Sequence, residues 1–119
     1  MIEDLDFSLD SFDDIVAKDP RYNARAYALL MDVLGWLFKD SAKADGETIL
    51  DEFRERTLDL YGPMSYTVLR EWGVERTEDV GEMMFNLADS GRVRREDSDT
   101  AEAFVGGYDF RETFLAPYE

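Results

Sequence analysis

The stretch 22–38, YNARAYALLMDVLGWLF, contains the most apolar segment of the chain and decides the fold. Its apolar residues recur at the three- and four-residue spacing of an α-helix. They form a wide stripe: Tyr22, Ala26, Leu29, Leu30, Val33, Leu34, Leu37 and Phe38. Tyr27, Met31 and Trp36 extend the apolar surface to other faces, and a helix apolar on most sides belongs inside a core. We therefore predict a central helix over residues 20–42, with Pro20 at its first position.

Four further helices are predicted from end signals and apolar periodicity. Small polar residues and proline favour helix beginnings, whereas glycine and lysine favour helix ends. The predicted beginnings and ends are Ser11 and Lys18, Asp45 and Gly62, Pro63 and Gly73, and Thr77 and Gly91. In the last of these helices, Val80, Met83, Met84 and Leu87 form the buried face.

The C-terminal part of the sequence lacks the helical periodicity of the preceding segments. Alternation in 92–95 and 103–108, around a polar loop at 96–102, predicts a short β-hairpin. The tail from Phe110 to Pro117 is expected to pack back on the body through Phe114 and Leu115. The fold class is therefore mainly α (α+β), with about five helices around helix 20–42. Three helices followed by two strands is also the order of a winged helix, so we expect a winged-helix-like arrangement.

Composition limits the chemistry that is open to the chain. It has 119 residues, of which 45% are hydrophobic, and this suits a single domain over 1–119 with one core. It contains no cysteine and no histidine. Disulfides, thiolate nucleophiles and the usual general base near neutral pH are therefore excluded. We predict that the protein is not an enzyme and holds no metal or cofactor.

Charge is the strongest compositional feature. The chain has 28 acidic and 13 basic residues, for a formal net charge of −15, and only Lys18, Lys39 and Lys43 are lysines. An ordinary acidic cytosolic protein is one interpretation. We favour adaptation to a salt-rich cytosol, because salt screens the self-repulsion of so many carboxylates.

The N-terminal sequence favours a cytoplasmic protein. Residues 1–6, MIEDLD, are acidic where a signal peptide is basic, and no apolar run follows them. The apolar stretch from Ala26 to Phe38 is interrupted by Asp32 and is too short to span a bilayer. We therefore expect no membrane association.

Nucleic-acid binding is the alternative that a winged helix suggests. The predicted third helix of that motif carries four acidic residues and no lysine or arginine: Glu78, Asp79, Glu82 and Asp89. A polyanion would be repelled by it. Arg92, Arg94 and Arg95 can contact phosphates from the wing, helped by Arg70 and Arg76, but they are few against the overall charge.

Three other motifs carry weaker signals. The loop from Ser41 to Glu52 has glycine and glutamate at calcium-loop spacing, but Lys43 would occupy a ligand position and oppose the cation. The acidic loop 96–102 is interpreted as a solvated loop. The glycines of 106–110, GGYDF, lack the spacing of a phosphate-binding loop and favour close backbone packing.

Several motifs together resemble a family of small bacterial proteins of unknown function. They are 19–22 (DPRY), 61–64 (YGPM), 71–74 (EWGV), 77–82 (TEDVGE), 85–87 (FNL) and 106–110 (GGYDF). The resemblance spans about Phe12 to Phe114 and implies no catalytic residue. It implies that six residues are features of the family as a whole: Arg21, Trp72, Gly73, Glu78, Asp79 and Glu82. These residues serve capping and packing in one interpretation, whereas in the other Arg21, Glu78, Asp79 and Asp109 form a shared binding surface.

We therefore expect a non-enzymatic interaction or regulatory module that binds another protein. A winged-helix-like nucleic-acid binder is the alternative, and a carboxylate- or metal-dependent enzyme is the least supported. The full candidate binding surface comprises Arg21, Trp72, Glu78, Asp79, Glu82, Arg92, Arg94, Arg95 and Asp109. The oligomeric state is open.

Salt dependence tests the interpretation of the charge. Raising chloride from low to molar concentration should raise the melting temperature by more than about 5 °C, roughly 1 kcal/mol for a domain near this size. The reason is that screening weakens repulsion within the folded chain. Thermal melts followed by circular dichroism measure this, and a melting temperature that barely changes would contradict adaptation to salt.

Overall fold

The computed structural model describes residues 12–40, 45–93 and 104–118. Within these ranges there are five α-helices and no strand, so the chain is mainly α-helical as predicted. The helices are α1 Asp13–Lys18, α2 Ala24–Asp40, α3 Gly46–Tyr61, α4 Ser65–Glu71 and α5 Thr77–Asp89. A 3-10 turn at Gly62–Met64 leads into α4, and the tail forms a π-helical turn at Arg111–Leu115 and a 3-10 turn at Ala116–Tyr118.

The first correction concerns the beginning of α2, which lies at Ala24 and not at Pro20. Asn23 caps the helix, because its side-chain oxygen accepts the N–H of Arg25 at 2.8 Å. The backbone N–H of Asn23 donates to the carbonyl of Trp72 at 3.0 Å, which holds residues 20–23 in a turn. At the other end α2 is described to Asp40, and the predicted extension to residue 42 lies outside the described residues.

The core is one cluster to which every α-helix contributes. From α2 it takes Ala26, Tyr27, Leu29, Leu30, Val33 and Leu34, in agreement with a central helix. The expectation that this helix makes apolar contacts on most sides is wrong at Trp36, because 53% of this residue is exposed. The tail closes the core with Phe110 and Phe114, whose ring centroids lie 5.0 Å apart. The predicted return of the tail is thus confirmed.

The predicted glycine stops of α4 and α5 are confirmed. After α4, Gly73 has a φ of 89° and Val74 donates its N–H to the Leu69 carbonyl at 2.9 Å. After α5, Gly91 has a φ of 85° and the following N–H donates to Leu87 at 2.9 Å. Both ends have the six-to-one hydrogen bond that a left-handed residue permits.

The second correction concerns Thr77, which is the first residue of α5 and not its N-cap. The N–H groups of Glu75 and Arg76 donate instead to Asp79 Oδ2, at 2.9 and 3.2 Å. The Thr77 hydroxyl is thereby available to donate to the carbonyl of Phe104 at 2.6 Å.

The third correction concerns the C-terminal hairpin. Residues 104–108 form a turn and not a strand, because their backbone groups bond to the first turn of α5. Gly107 donates its N–H to Thr77 Oγ1 at 3.0 Å, and Gly106 donates to Glu78 Oε2 at 3.2 Å. Arg92 and Val93 are not in a strand either, and the rest of the predicted hairpin, 94–103, lies outside the described residues. The described part therefore has no wing strand.

Gly73 provides a test of this packing. A Cβ at Gly73 would overlap the carbonyl oxygen of Arg21, whereas a Cβ at Gly91 would meet open space. Both positions require a left-handed backbone, which costs an alanine roughly 1–2 kcal/mol. We expect Gly73→Ala to destabilise the fold by about 1–3 kcal/mol more than Gly91→Ala, because the overlap forces the backbone to shift.

Urea unfolding of the two variants measures this difference, with Gly91→Ala as the matched control. Equal losses of unfolding free energy in both variants would show that residues 21 and 73 do not pack as described.

Candidate functional site

A polar network joins the connection before α2 to the exposed side of α5. Asp19 accepts two hydrogen bonds from the Arg21 guanidinium, from Nε at 2.9 Å and from Nη2 at 2.8 Å. It also accepts the amide N–H of Asn86 at 2.9 Å, and Asn86 donates a second bond to the Tyr27 hydroxyl at 2.9 Å. Arg21 Nη2 in turn reaches Glu82 Oε1 at 3.2 Å. Three segments are therefore connected by one chain of hydrogen bonds, and those to Asp19 and Glu82 are charge-assisted.

Asp79 is the second junction between these segments. Its Oδ1 accepts the hydroxyl of Tyr22 at 2.6 Å, while Oδ2 accepts the two N–H groups that precede α5. Tyr22 is buried, with 1% of its surface exposed. Burial first, and then the Asp79 carboxylate, raises the pKa of Tyr22 above its ordinary value. Tyr22 is therefore a hydrogen-bond donor to Asp79 and not an acid near neutral pH.

The same network shifts the pKa of Asp19. The hydrogen bonds from Arg21, supported by that from Asn86, hold it well below the ordinary value for a carboxyl group. The Asp19 carboxylate raises the pKa of Arg21 in return. This carboxylate and guanidinium are therefore a stable ion pair, and their role is to fix positions and not to transfer protons.

Beside the network lies a concave apolar groove of about 380 Å³, which we call the α5 groove. It is lined by Glu78, Gly81, Glu82, Phe85 and Val105. Phe85 and Val105 are 54% and 62% exposed, which is unusual for large apolar side chains on one small surface. The two glutamates lie one helical turn apart on α5, so the groove combines an apolar centre with a negatively charged side.

The structure brings four predicted site residues together and separates the others. Arg21, Glu78, Asp79 and Glu82 lie at the α5 groove or in the network that adjoins it. Asp109 caps the tail turn, since its Oδ1 accepts the N–H of Glu112 at 3.0 Å.

The remaining predicted residues have structural partners or are not described. The Trp72 ring packs edge-to-face on Tyr61, with centroids 5.6 Å apart. Arg92 pairs with Asp14 at 2.8 Å and lies over the Phe12 ring. Arg94 and Arg95 lie outside the described residues.

The apolar part of the candidate site was not predicted from the sequence. Phe85 belongs to one of the recognised motifs, but nothing in that motif shows that its side chain faces solvent. The available signal was its position outside the buried stripe of α5, which Val80, Met83, Met84 and Leu87 form. Val105 carried no comparable signal, because it reaches the groove only through the turn that replaces the expected strand.

A larger groove of about 620 Å³ lies where the exposed Trp36 meets α3. The Arg56 guanidinium already lies over the Trp36 ring at 5.3 Å, and Arg56 Nε is 3.5 Å from Asp32 Oδ2. Besides Trp36 and Arg56, its lining consists of Leu58 and three acidic residues: Glu52, Glu55 and Asp59. A cation of the chain itself therefore covers one face of the aromatic ring here, whereas the α5 groove presents its apolar residues to solvent.

No family model matches the chain, and no curated protein or solved structure is significantly similar to it. Among the described residues, no group of three or more acidic side chains is placed to hold a metal ion. None of the described helices is long and apolar enough to cross a membrane.

The lowered pKa of Asp19 gives a pH prediction. Since its folded-state pKa lies below the unfolded value of about 3.9, its stabilising effect is full above that pH and is lost as the pH falls below it. We expect Asp19→Asn to be less stable than the wild type at pH 7, and the difference to shrink towards pH 2–3.

Urea unfolding across this pH range is the measurement, with Asp59→Asn on the exposed side of α3 as the control. The control should follow the wild-type curve. A difference between Asp19→Asn and the wild type that stays constant with pH would contradict the described ion pair.

Proposed function

We propose that this protein is a non-enzymatic interaction module that binds a basic segment of another protein in the α5 groove. The observation that carries the proposal is the meeting of Phe85, Val105, Glu78 and Glu82 in one concave surface. Contiguous exposed apolar groups with a polar rim are characteristic of protein interaction sites.

Charge selects the kind of partner. The groove has two carboxylates at its side, on a chain with a net charge of −15. An acidic partner would be repelled, whereas a basic one would be steered towards the surface and its charges complemented there. The partner that fits is therefore a segment with apolar side chains for Phe85 and Val105 and with lysine or arginine beside them. An amphipathic helix in a groove is one common form of such a segment.

The family resemblance, itself a proposal, is consistent with a binding surface at the α5 groove. Four of its residues, Arg21, Glu78, Asp79 and Glu82, lie at one surface and hold or line the groove. A cytoplasmic location and adaptation to a salt-rich cytosol also remain proposals, which the acidic composition supports.

Nothing in the described geometry favours the nucleic-acid alternative. Arg92 is paired with Asp14, and the exposed side of α5 carries Glu78 and Glu82 where a DNA-reading helix needs positive or neutral groups. A mobility shift with duplex DNA at low salt tests this alternative directly, because electrostatic binding is strongest there.

A model peptide tests the proposed function. The probe is a helix-forming peptide of about 14 residues, built from leucine and lysine with the leucines on one face, and its binding is followed by isothermal titration at low salt. We expect the wild type to bind it and Phe85→Ser to weaken binding at least tenfold, about 1.4 kcal/mol, because the apolar contact is lost. The same peptide with glutamate in place of lysine should not bind.

Leu60 supplies the matched control, since it is 54% exposed like Phe85 but does not line the α5 groove. Leu60→Ser should bind as the wild type does. The proposal fails if the wild type does not bind the lysine peptide, or if Phe85→Ser and Leu60→Ser bind it equally well.

A further inference from the structure

We infer that Glu78 is the carboxylate that pairs with the partner's basic residue, and that Arg21 is a built-in competitor that already occupies Glu82. This inference rests on the proposed function, since it concerns how the α5 groove chooses its ligand. It predicts that the two glutamates of the groove contribute unequally to partner binding, although they are the same residue type on the same helix.

Arg21 has a fixed position that does not depend on Glu82. Asp19 holds the guanidinium through Nε and Nη2, and the Asp19 side chain is only 17% exposed. The guanidinium also lies 5.0 Å from the centroid of the Tyr22 ring, on the face of a buried side chain. Its Nη2 is thereby placed 3.2 Å from Glu82 Oε1. A cation of a partner must therefore compete with a positive charge that is already in place.

Glu78 differs from Glu82 in its partners. Its Oε2 accepts the N–H of Gly106 at 3.2 Å, which orients the carboxylate beside the turn that carries Val105. Among the described residues, no cationic side chain pairs with it. Within the described part of the chain, the negative charge of Glu78 therefore has no cationic partner, and its side chain lines the groove.

The two ends of the groove therefore differ in which carboxylate a partner's cation can reach. Glu82 already contacts the Arg21 guanidinium, whereas Glu78 contacts a backbone N–H, and the two positions are about 6 Å apart along the helix axis. A segment that places an apolar side chain against Phe85 can satisfy one lysine or arginine at Glu78. A second basic residue at the other end meets Arg21 and is disfavoured. The ligand class is therefore a segment with one required basic residue beside its apolar anchor.

Charge-neutral substitutions of the same shape test this inequality, with the leucine–lysine peptide as the probe. Glu78→Gln keeps an oxygen for the Gly106 N–H but removes the charge, and we expect binding to weaken about tenfold. Glu82→Gln should change binding less than about twofold, because the contact with Arg21 hinders a partner's cation from pairing with Glu82.

Arg21→Gln completes the test by releasing Glu82 together with Asp19. Binding should strengthen severalfold, and adding Glu82→Gln to this variant should reduce the gain. The inference is overturned if Glu82→Gln weakens binding as much as Glu78→Gln does, or if folded Arg21→Gln binds more weakly than the wild type. Should Arg21→Gln fail to fold, the comparison of the two glutamine variants decides alone.

The two proposals fail in different ways. If the wild type does not bind the peptide, the proposed function is wrong. If the wild type binds and Phe85→Ser does not, but the two glutamates contribute equally, only the present inference is wrong.

Discussion

The carboxylate of Asp79 is the group on which the position of α5 depends. It accepts the hydroxyl of buried Tyr22 with one oxygen, and with the other it accepts the two N–H groups that precede the helix. A charged acceptor makes each of these bonds stronger than a neutral one would. The same carboxylate therefore caps the helix and attaches it to the chain segment before α2. Removing it would leave a buried hydroxyl and two N–H groups without their acceptor.

Further close contacts join residues 21–23 to the residues that follow α4. Gly73 lies against the carbonyl of Arg21 so tightly that a side chain does not fit, and the Asn23 N–H bonds to Trp72. With α5 fixed in this way, Thr77 can hold the Phe104 carbonyl 27 residues further along the chain. That bond places Val105 beside Phe85 and completes the α5 groove. The groove therefore depends on the contacts that hold α5 against the core. Residues next to these contacts also form its polar side.

Local signals were sufficient where a helix is determined by its own residues. The glycine stops after α4 and α5 and the buried stripe of α5 were predicted, because each depends on neighbours within a few positions. The beginning of α2 was not, since the turn at 20–23 is held by Trp72, far away in sequence. Thr77 and the turn at 104–108 were misread for a related reason. An alternating pattern favours a strand, but here the tertiary hydrogen bonds to α5 outweigh it.

Of the candidate site, only the charged part could be predicted from the sequence. Arg21, Glu78, Asp79 and Glu82 were recognised through the motifs, whereas the apolar centre of the groove requires knowledge of which side chains the fold leaves exposed.

The central claim is that the Tyr22–Asp79 bond holds α5 in place. A double-mutant cycle of Tyr22→Phe and Asp79→Ala, with urea unfolding of each variant, measures the free energy of this bond most directly. The cycle cancels the loss of the helix cap, because this loss is common to both variants that lack Asp79. We predict a coupling free energy of at least about 1 kcal/mol. Effects that add to within about 0.5 kcal/mol would contradict the account.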